Sequence, residues 1–295
     1  MRLYAPQYYK NFRCIADRCE HSCCVGWEID IDGDTLEKYQ SLTESYGAVI
    51  DDSISREDTP QFKLCAQDRC PHLDERGLCR IITSVGEEYL CDICREHPRF
   101  YNFTNVAEVG IGMSCTEAAR VILSSPDYDV FEEIGTHSAS EDTVDFDGRT
   151  ERGRLYGILK DHGTAYPQRL AEIYGEYGIV VEADEAWRAI LDSLEYLDHT
   201  HRGRFACYSA HLRPAGMDEY LERALAYWIY RHCTEAEGRE DFAIRLRFCL
   251  FCERLLASLA VSEGAASLRE IAVLARIISE EIEYSDENTE ALMLG

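Results

Sequence analysis

Fourteen cysteines are distributed very unevenly over 295 residues. Ten fall between Cys14 and Cys115, none between Thr116 and Ala206, and four return at Cys207, Cys233, Cys249 and Cys252. The chain opens MRLYAPQYYKN, without the apolar stretch of a secretory leader, and has no run of about 18 apolar residues that could span a membrane. The expectation is a cytoplasmic chain whose thiols stay reduced. Dense cysteine in that setting serves metal or redox chemistry rather than disulfides.

Charge narrows the partners. Lys and Arg total 30 against 55 Asp and Glu, a formal net charge of −25. A nucleic-acid backbone must be met by clustered cations, and an anionic leaflet repels such a chain, so neither nucleic acid nor membrane is expected as a partner. The acidic excess favours solubility and would also attract a cationic, lysine-bearing protein surface. With 46% hydrophobic and 11% aromatic residues, the chain can still bury a substantial core. The acidic tail Glu280–Glu290 reads as a solvated face.

The pattern along the chain predicts a mainly α protein with a small, irregular, cysteine-rich α+β N-terminal part and a C-terminal helical bundle. Residues 1–134 form the expected cysteine-rich region, 135–150 (GTHSASEDTVDFDGRT) a loop or linker, and 151–295 the bundle. Strand-like stretches are Trp27–Ile31 and Val106–Ile111, and helix is expected over Asp34–Tyr46 and over TEAARVIL from Thr116. Beyond residue 150, apolar residues recur at three- and four-residue spacing. Examples are Trp187, Ile190, Leu191, Leu194 and Leu197, then Leu221, Leu225, Trp228, Ile229 and His232. Gly163, Pro167, Gly175, Pro214, Gly238 and Gly264 are the expected turns.

Three cysteine groups stand out. The first is Cys14-x4-Cys19-x3-Cys23-Cys24, the second Cys70-Pro-His-Leu-Asp-x4-Cys79, and the third Cys91-Asp-Ile-Cys94 running into His97-Pro98-Arg99. Thiolates so close in sequence can converge on one centre, and a C-x2-C turn brings two to the same ion. The spacing serves zinc as readily as iron–sulfur. His21, His72 and His97 sit beside these groups as substitute ligands or as residues that orient them. Cys249 and Cys252, at i and i+3 in the apolar stretch FAIRLRFCLFCERLLASLA, read as core packing.

Taken together, YAPQYYKNFRCIADRCEHSCCVGWEIDID, CPHLDERGLCRI, GEEYLCDICREHPRF and MSCTEAARVIL resemble, in order, the motifs of FliB-type flagellin lysine-N-methylases. A looser similarity extends to YkgJ-type zinc- or iron-chelating domains. The resemblance spans roughly residues 1–123. It implies a protein lysine N-methyltransferase acting on flagellin or another lysine-bearing protein, with S-adenosylmethionine and a [4Fe–4S] cluster as cofactors and zinc as the alternative metal. The family's cysteines correspond to Cys14, Cys19, Cys23, Cys24, Cys70, Cys79, Cys91, Cys94 and Cys115, more thiols than one cubane needs. Cys65 lies outside the pattern.

Two departures bear on mechanism. Cys19-x3-Cys23 begins like the radical S-adenosylmethionine signature C-x3-C-x2-C, but the third position is Gly26. No strand–GxGxxG–helix unit is present either, so S-adenosylmethionine binding rests on the resemblance. A non-enzymatic cysteine-rich zinc or iron module for protein interaction is the alternative reading, and an electron-transfer protein a third.

Overall fold

The structure is a computed structural model and describes residues 1–42, 45–57, 59–139 and 146–295. Along the chain come β1 (Arg2–Pro6), α1 (Gly33–Ser41), α2 (Ser45–Asp52), β2 (Ile54–Ser55), β3 (Gln61–Phe62), α3 (Arg80–Ser84) and α4 (Asp92–Glu96). Then follow β4 (Arg99–Phe103), β5 (Ala107–Ile111), α5 (Thr116–Ser124), β6 (Phe131–Thr136), α6 (Gly148–Leu159), α7 (Tyr166–Tyr177), α8 (Asp184–Ser193) and α9 (Thr200–Phe205). The chain ends with α10 (Asp218–Cys233), α11 (Arg239–Ser262), α12 (Leu268–Ile278) and α13 (Asp286–Leu294). It is mainly α, with a small sheet region and C-terminal helices. No described helix is long and apolar enough to cross a membrane.

Two compact units share this chain: Met1–Phe12 together with Arg99–Gly295, and Arg13–Pro98. These limits differ from a division at 135–150. The reason is strand pairing: β1 lies parallel to β5, with Leu3 opposite Ala107, and antiparallel to β6, with Pro6 opposite Phe131. A sheet closed by the first residues of the chain carries 99–136 with the helices. Of the expected linker, residues 135–136 end β6, 148–150 open α6, and 140–145 lie outside the described residues.

In the larger unit the sheet runs β4-β5-β1-β6, and every residue of β5 is buried. A buried strand carrying Glu108 requires that charge to be paired. Arg152 binds both of its carboxylate oxygens at 2.8 Å, and Arg149 adds a bond at 3.1 Å. At Gly110 a Cβ would collide with the rings of Phe100 and Tyr230, so close ring packing demands glycine there. α11 is buried at consecutive positions from Phe248 to Glu253, which leaves it no exposed face over that stretch and marks it as a core helix. Each such fully buried Leu or Phe stabilises by about 1.5–3 kcal/mol.

Several local expectations shift. Trp27–Ile31 forms no strand, only an isolated bridge from Asp30 to Gln61, although Ile29 and Ile31 are buried. α1 is capped by Asp32 rather than Asp34 and stops at Ser41; Thr43 and Glu44 lie outside the described residues. Leu197 is 49% exposed because α8 ends at Ser193, before the apolar stripe does. Gly175 lies inside α7, and the turn is made by Gly178 at φ 63°, a left-handed cap that glycine adopts without strain. Pro167 opens α7 instead of breaking it.

The acidic tail departs most. Glu280, Glu281 and Glu283 are buried at 5%, 2% and 8% exposure, on a π-helical turn, Ser279–Glu283, that continues α12. Glu281 accepts the backbone N–H groups of Leu197 and Asp198 at 2.7 and 3.1 Å and lies 2.5 Å from His201 Nδ1. Glu280 pairs with Arg276, and Glu283 with Tyr227, Arg231 and His232. Charge counted along a sequence does not reveal partners that other helices bring.

Candidate metal centre

The smaller unit, Arg13–Pro98, has its own modest core: Ile29, Ile31, Tyr39, Ile50, Ile54, Phe62, Ile81, Leu90 and Cys91. A core of that size leaves room for stabilisation by a bound metal. Its loops carry the cysteines. Residues 24–26 run antiparallel to 68–70, with Cys70 N–H donating to Cys24 O at 2.8 Å and Gly26 N–H to Asp68 O at 2.9 Å. Gly26 adopts φ 85°, which the turn out of the Cys23-Cys24 pair requires. A second loop closes with Leu73 bridged to Cys79 and Arg80 N–H donating to His72 O at 2.7 Å. Asp74 holds it by accepting the N–H groups of Arg76 and Leu78, each at 2.9 Å. Cys91 and Cys94 stand at the start of α4.

These turns bring five thiols into one neighbourhood. Cys70 is within electrostatic reach of Cys24, Cys79 and Cys91; Cys79 of Cys24 and Cys91; Cys94 of Cys91, Cys24 and Cys70. Burial pushes Cys70 up to about 12 and also raises Cys79. The Cys94 thiol donates to Cys91, which lowers Cys91 and raises Cys94. Cys24 is lowered to about 7, first by a hydrogen bond from Cys23, against the opposing effect of burial, with further help from Ser22 and the Arg69 guanidinium. By its chemistry alone, a set of thiols carried on neighbouring loops is the kind of donor set that zinc or an iron–sulfur cluster takes. Among the described residues no three His, Cys, Asp or Glu side chains already stand at metal-ligand spacing. The five share a region without having closed on one point.

The other family-matched cysteines are Cys14, Cys19, Cys23 and Cys115. Cys14 is exposed, and Cys19 donates to His21 O at 2.7 Å. Cys23 is exposed beside Cys24. Cys115 caps α5 and belongs to the larger unit. Cys65, outside the family pattern, is exposed, and its N–H donates to Arg69 O at 2.7 Å. Cys233, Cys249 and Cys252 are fully buried in the helical core, with the sulfurs of Cys233 and Cys249 3.7 Å apart.

His72 is committed to hydrogen bonds. It is 1% exposed, and both ring nitrogens are engaged, Nδ1 with Tyr46 Oη and Nε2 with Ser53 Oγ, each at 2.9 Å. Ser53 donates its own hydroxyl proton to Ile50 O at 2.6 Å, so it accepts from His72, which puts the proton on Nε2. Tyr46 then donates to Nδ1. Burial pushes the imidazole down to about 4, and Arg80 adds to this, in keeping with the neutral tautomer. The ring anchors a loop whose backbone N–H at His72 bonds the Cys70 sulfur.

Two contributors were invisible to reasoning from cysteine spacing. Arg69 faces Cys24 and binds Leu73 O and Asp74 O at 3.3 and 2.5 Å, and Asp32 reaches α4 from the start of α1. A signal for the first was present: Asp-Arg-Cys-x-His occurs twice, at 17–21 and 68–72, each time leaving a 3₁₀ turn, Ala16–Arg18 and Ala66–Asp68. Nothing local marks Asp32 as more than a helix cap.

Comparison with known proteins agrees with the cysteine pattern. No family model matches the chain, and no solved structure does. It is 30% identical over 130 residues to the flagellar biosynthetic protein FliU of Salmonella muenchen, a match covering 41% of this chain and 77% of that one. It is likewise 30% identical over 130 residues to the lysine-N-methylases of Salmonella choleraesuis (strain SC-B67) and Salmonella typhimurium. Those matches again cover 41% of this chain but only 32% of the methylases' own length. The extent of the FliU match, together with the cysteine pattern, shows that the chain belongs to the FliB-type family of FliU and the lysine-N-methylases.

Proposed function

We propose that this chain works as a lysine N-methyltransferase, or the metal-bearing part of one, on flagellin or another lysine-bearing protein, using S-adenosylmethionine and an iron–sulfur cluster. One observation carries the reading: Cys24, Cys70, Cys79, Cys91 and Cys94 share one region within a single unit of a chain related to named lysine-N-methylases. Four or five of these thiols would hold the cluster, and when bound it would supply either an anchor for the amino-carboxylate end of S-adenosylmethionine or an electron. Arg69 offsets thiolate charge, Asp74 and His72 hold the Cys70–Cys79 loop, and the Cys91–Cys94 turn presents its pair. A lysine accepts a methyl group only as the neutral amine, so a base or a desolvating pocket must take its proton.

The second reading is a non-enzymatic zinc- or iron-binding module. It is favoured by the short reach of the match, about a third of the methylases' length. Anaerobic purification with iron and acid-labile sulfide analysis separates the two. Stoichiometric iron and sulfide, followed by transfer of labelled methyl to flagellin lysines, is expected; a colourless zinc-loaded protein without transfer would establish the module.

A further inference from the structure

We propose that Asp32 is the positioning residue of this metal centre, its two carboxylate oxygens holding the Cys91–Cys94 helix against α1. The proposal rests on the metal-binding reading above. As the cap of α1, Asp32 uses Oδ1 to accept Thr35 N–H at 2.9 Å. Its other oxygen, Oδ2, accepts Asp92 N–H at 2.8 Å, sixty residues further along and between the two cysteines of the pair.

α4 needs that outside support. It has five residues, too few to be stable alone, and its own cap, Cys91, makes no side-chain capping bond. A thiol committed to a metal would in any case be a poor cap. The grip is made at two points, because Tyr39 of α1 also donates to Tyr89 O at 2.7 Å, two residues before Cys91. With the backbone tied to α1 at Tyr89 and at Asp92, the segment that carries Cys91 and starts the turn to Cys94 is held by the fold itself. Groups that orient ligands in this way typically contribute about 10–100-fold to metal affinity.

The carboxylate is specific to the task. Asparagine offers one acceptor oxygen and turns an N–H2 donor toward the second N–H, so it keeps one bond at most. Alanine keeps neither.

The test uses the full chain, prepared metal-free and anaerobic, titrated with Co2+ and followed by thiolate-to-cobalt charge-transfer absorption. Asp32→Ala and Asp32→Asn are expected to bind Co2+ about 10–100-fold more weakly, with a shifted charge-transfer band. The control is Ser285→Ala, which removes the cap of α13 and is expected to lower thermal stability without changing the Co2+ titration. Asp32→Asn decides the matter if Asp32→Ala does not fold. Variants that match the parent in affinity and spectrum would overturn the proposal while leaving the metal reading intact. A parent chain with no thiolate–cobalt bands would overturn both.

Discussion

His232 Nε2 lies 2.7 Å from Glu283 Oε1 inside the helical unit, joining the end of α10 to the π-turn that follows α12. The same carboxylate accepts from Tyr227 Oη at 3.1 and 3.2 Å and has Arg231 at 3.4 Å. One acid therefore organises three partners on α10, spaced as a helix face requires at residues 227, 231 and 232. Glu283→Ala strips the half-buried Arg231 of its counter-charge. A loss of about 3–5 kcal/mol is expected, measured by urea unfolding, and a loss below about 1 kcal/mol would show that water already serves the site.

Acid should weaken the same node. Burial holds His232 below its usual value, so the unfolded chain binds its proton first, and the stability it contributes is complete above pH 6.5 and lost as pH falls below that. For Glu283, burial pushes upward, but Arg231 and His232 outweigh it and the net shift is downward. Its contribution is present above pH 4.5 and is lost on further acidification. The melting temperature should thus fall monotonically from pH 7 to pH 4, and the slope should flatten in Glu283→Gln. A flat profile for the parent chain would contradict this assignment.

The two classes of cysteine should separate experimentally. Replacing Cys91 and Cys94 together by serine is expected to abolish metal retention while the helical unit, which contains neither residue, still melts cooperatively. Replacing Cys249 and Cys252 by alanine should leave metal content unchanged and cost about 2–5 kcal/mol in total, because both sulfurs are fully buried. Metal analysis paired with thermal unfolding distinguishes these outcomes, and loss of metal from the second pair would reverse the division.

His72 gives a sharper contrast. Substituting phenylalanine fills the space but leaves Tyr46 Oη without its acceptor and Ser53 without its donor, expected to cost about 1–3 kcal/mol. Metal stoichiometry should stay that of the parent. Loss of one equivalent of metal would mean that the imidazole is a ligand after all.

Much of this protein is local and therefore readable along the chain. Apolar residues three and four apart announce α10 and α11, and Thr116–Leu123 folds as the helix its pattern predicts, because helical contacts connect neighbours in sequence. Cysteines three to nine apart mark the loops of the metal centre for the same reason: a short loop keeps its ends near each other whatever the rest does. Cys24, Cys70, Cys79, Cys91 and Cys94 come from separate loops and share a neighbourhood. Long-range pairing brought those five together. So did it bury Glu280, Glu281 and Glu283, which read along the chain as a solvated acidic run, and give Asp32 its second helix to hold. Residue type and spacing determined what each segment could become. The tertiary structure alone decided which segments meet, because a buried charge, a clamped turn or a gathered set of thiols depends on partners tens of residues away, which no local pattern encodes.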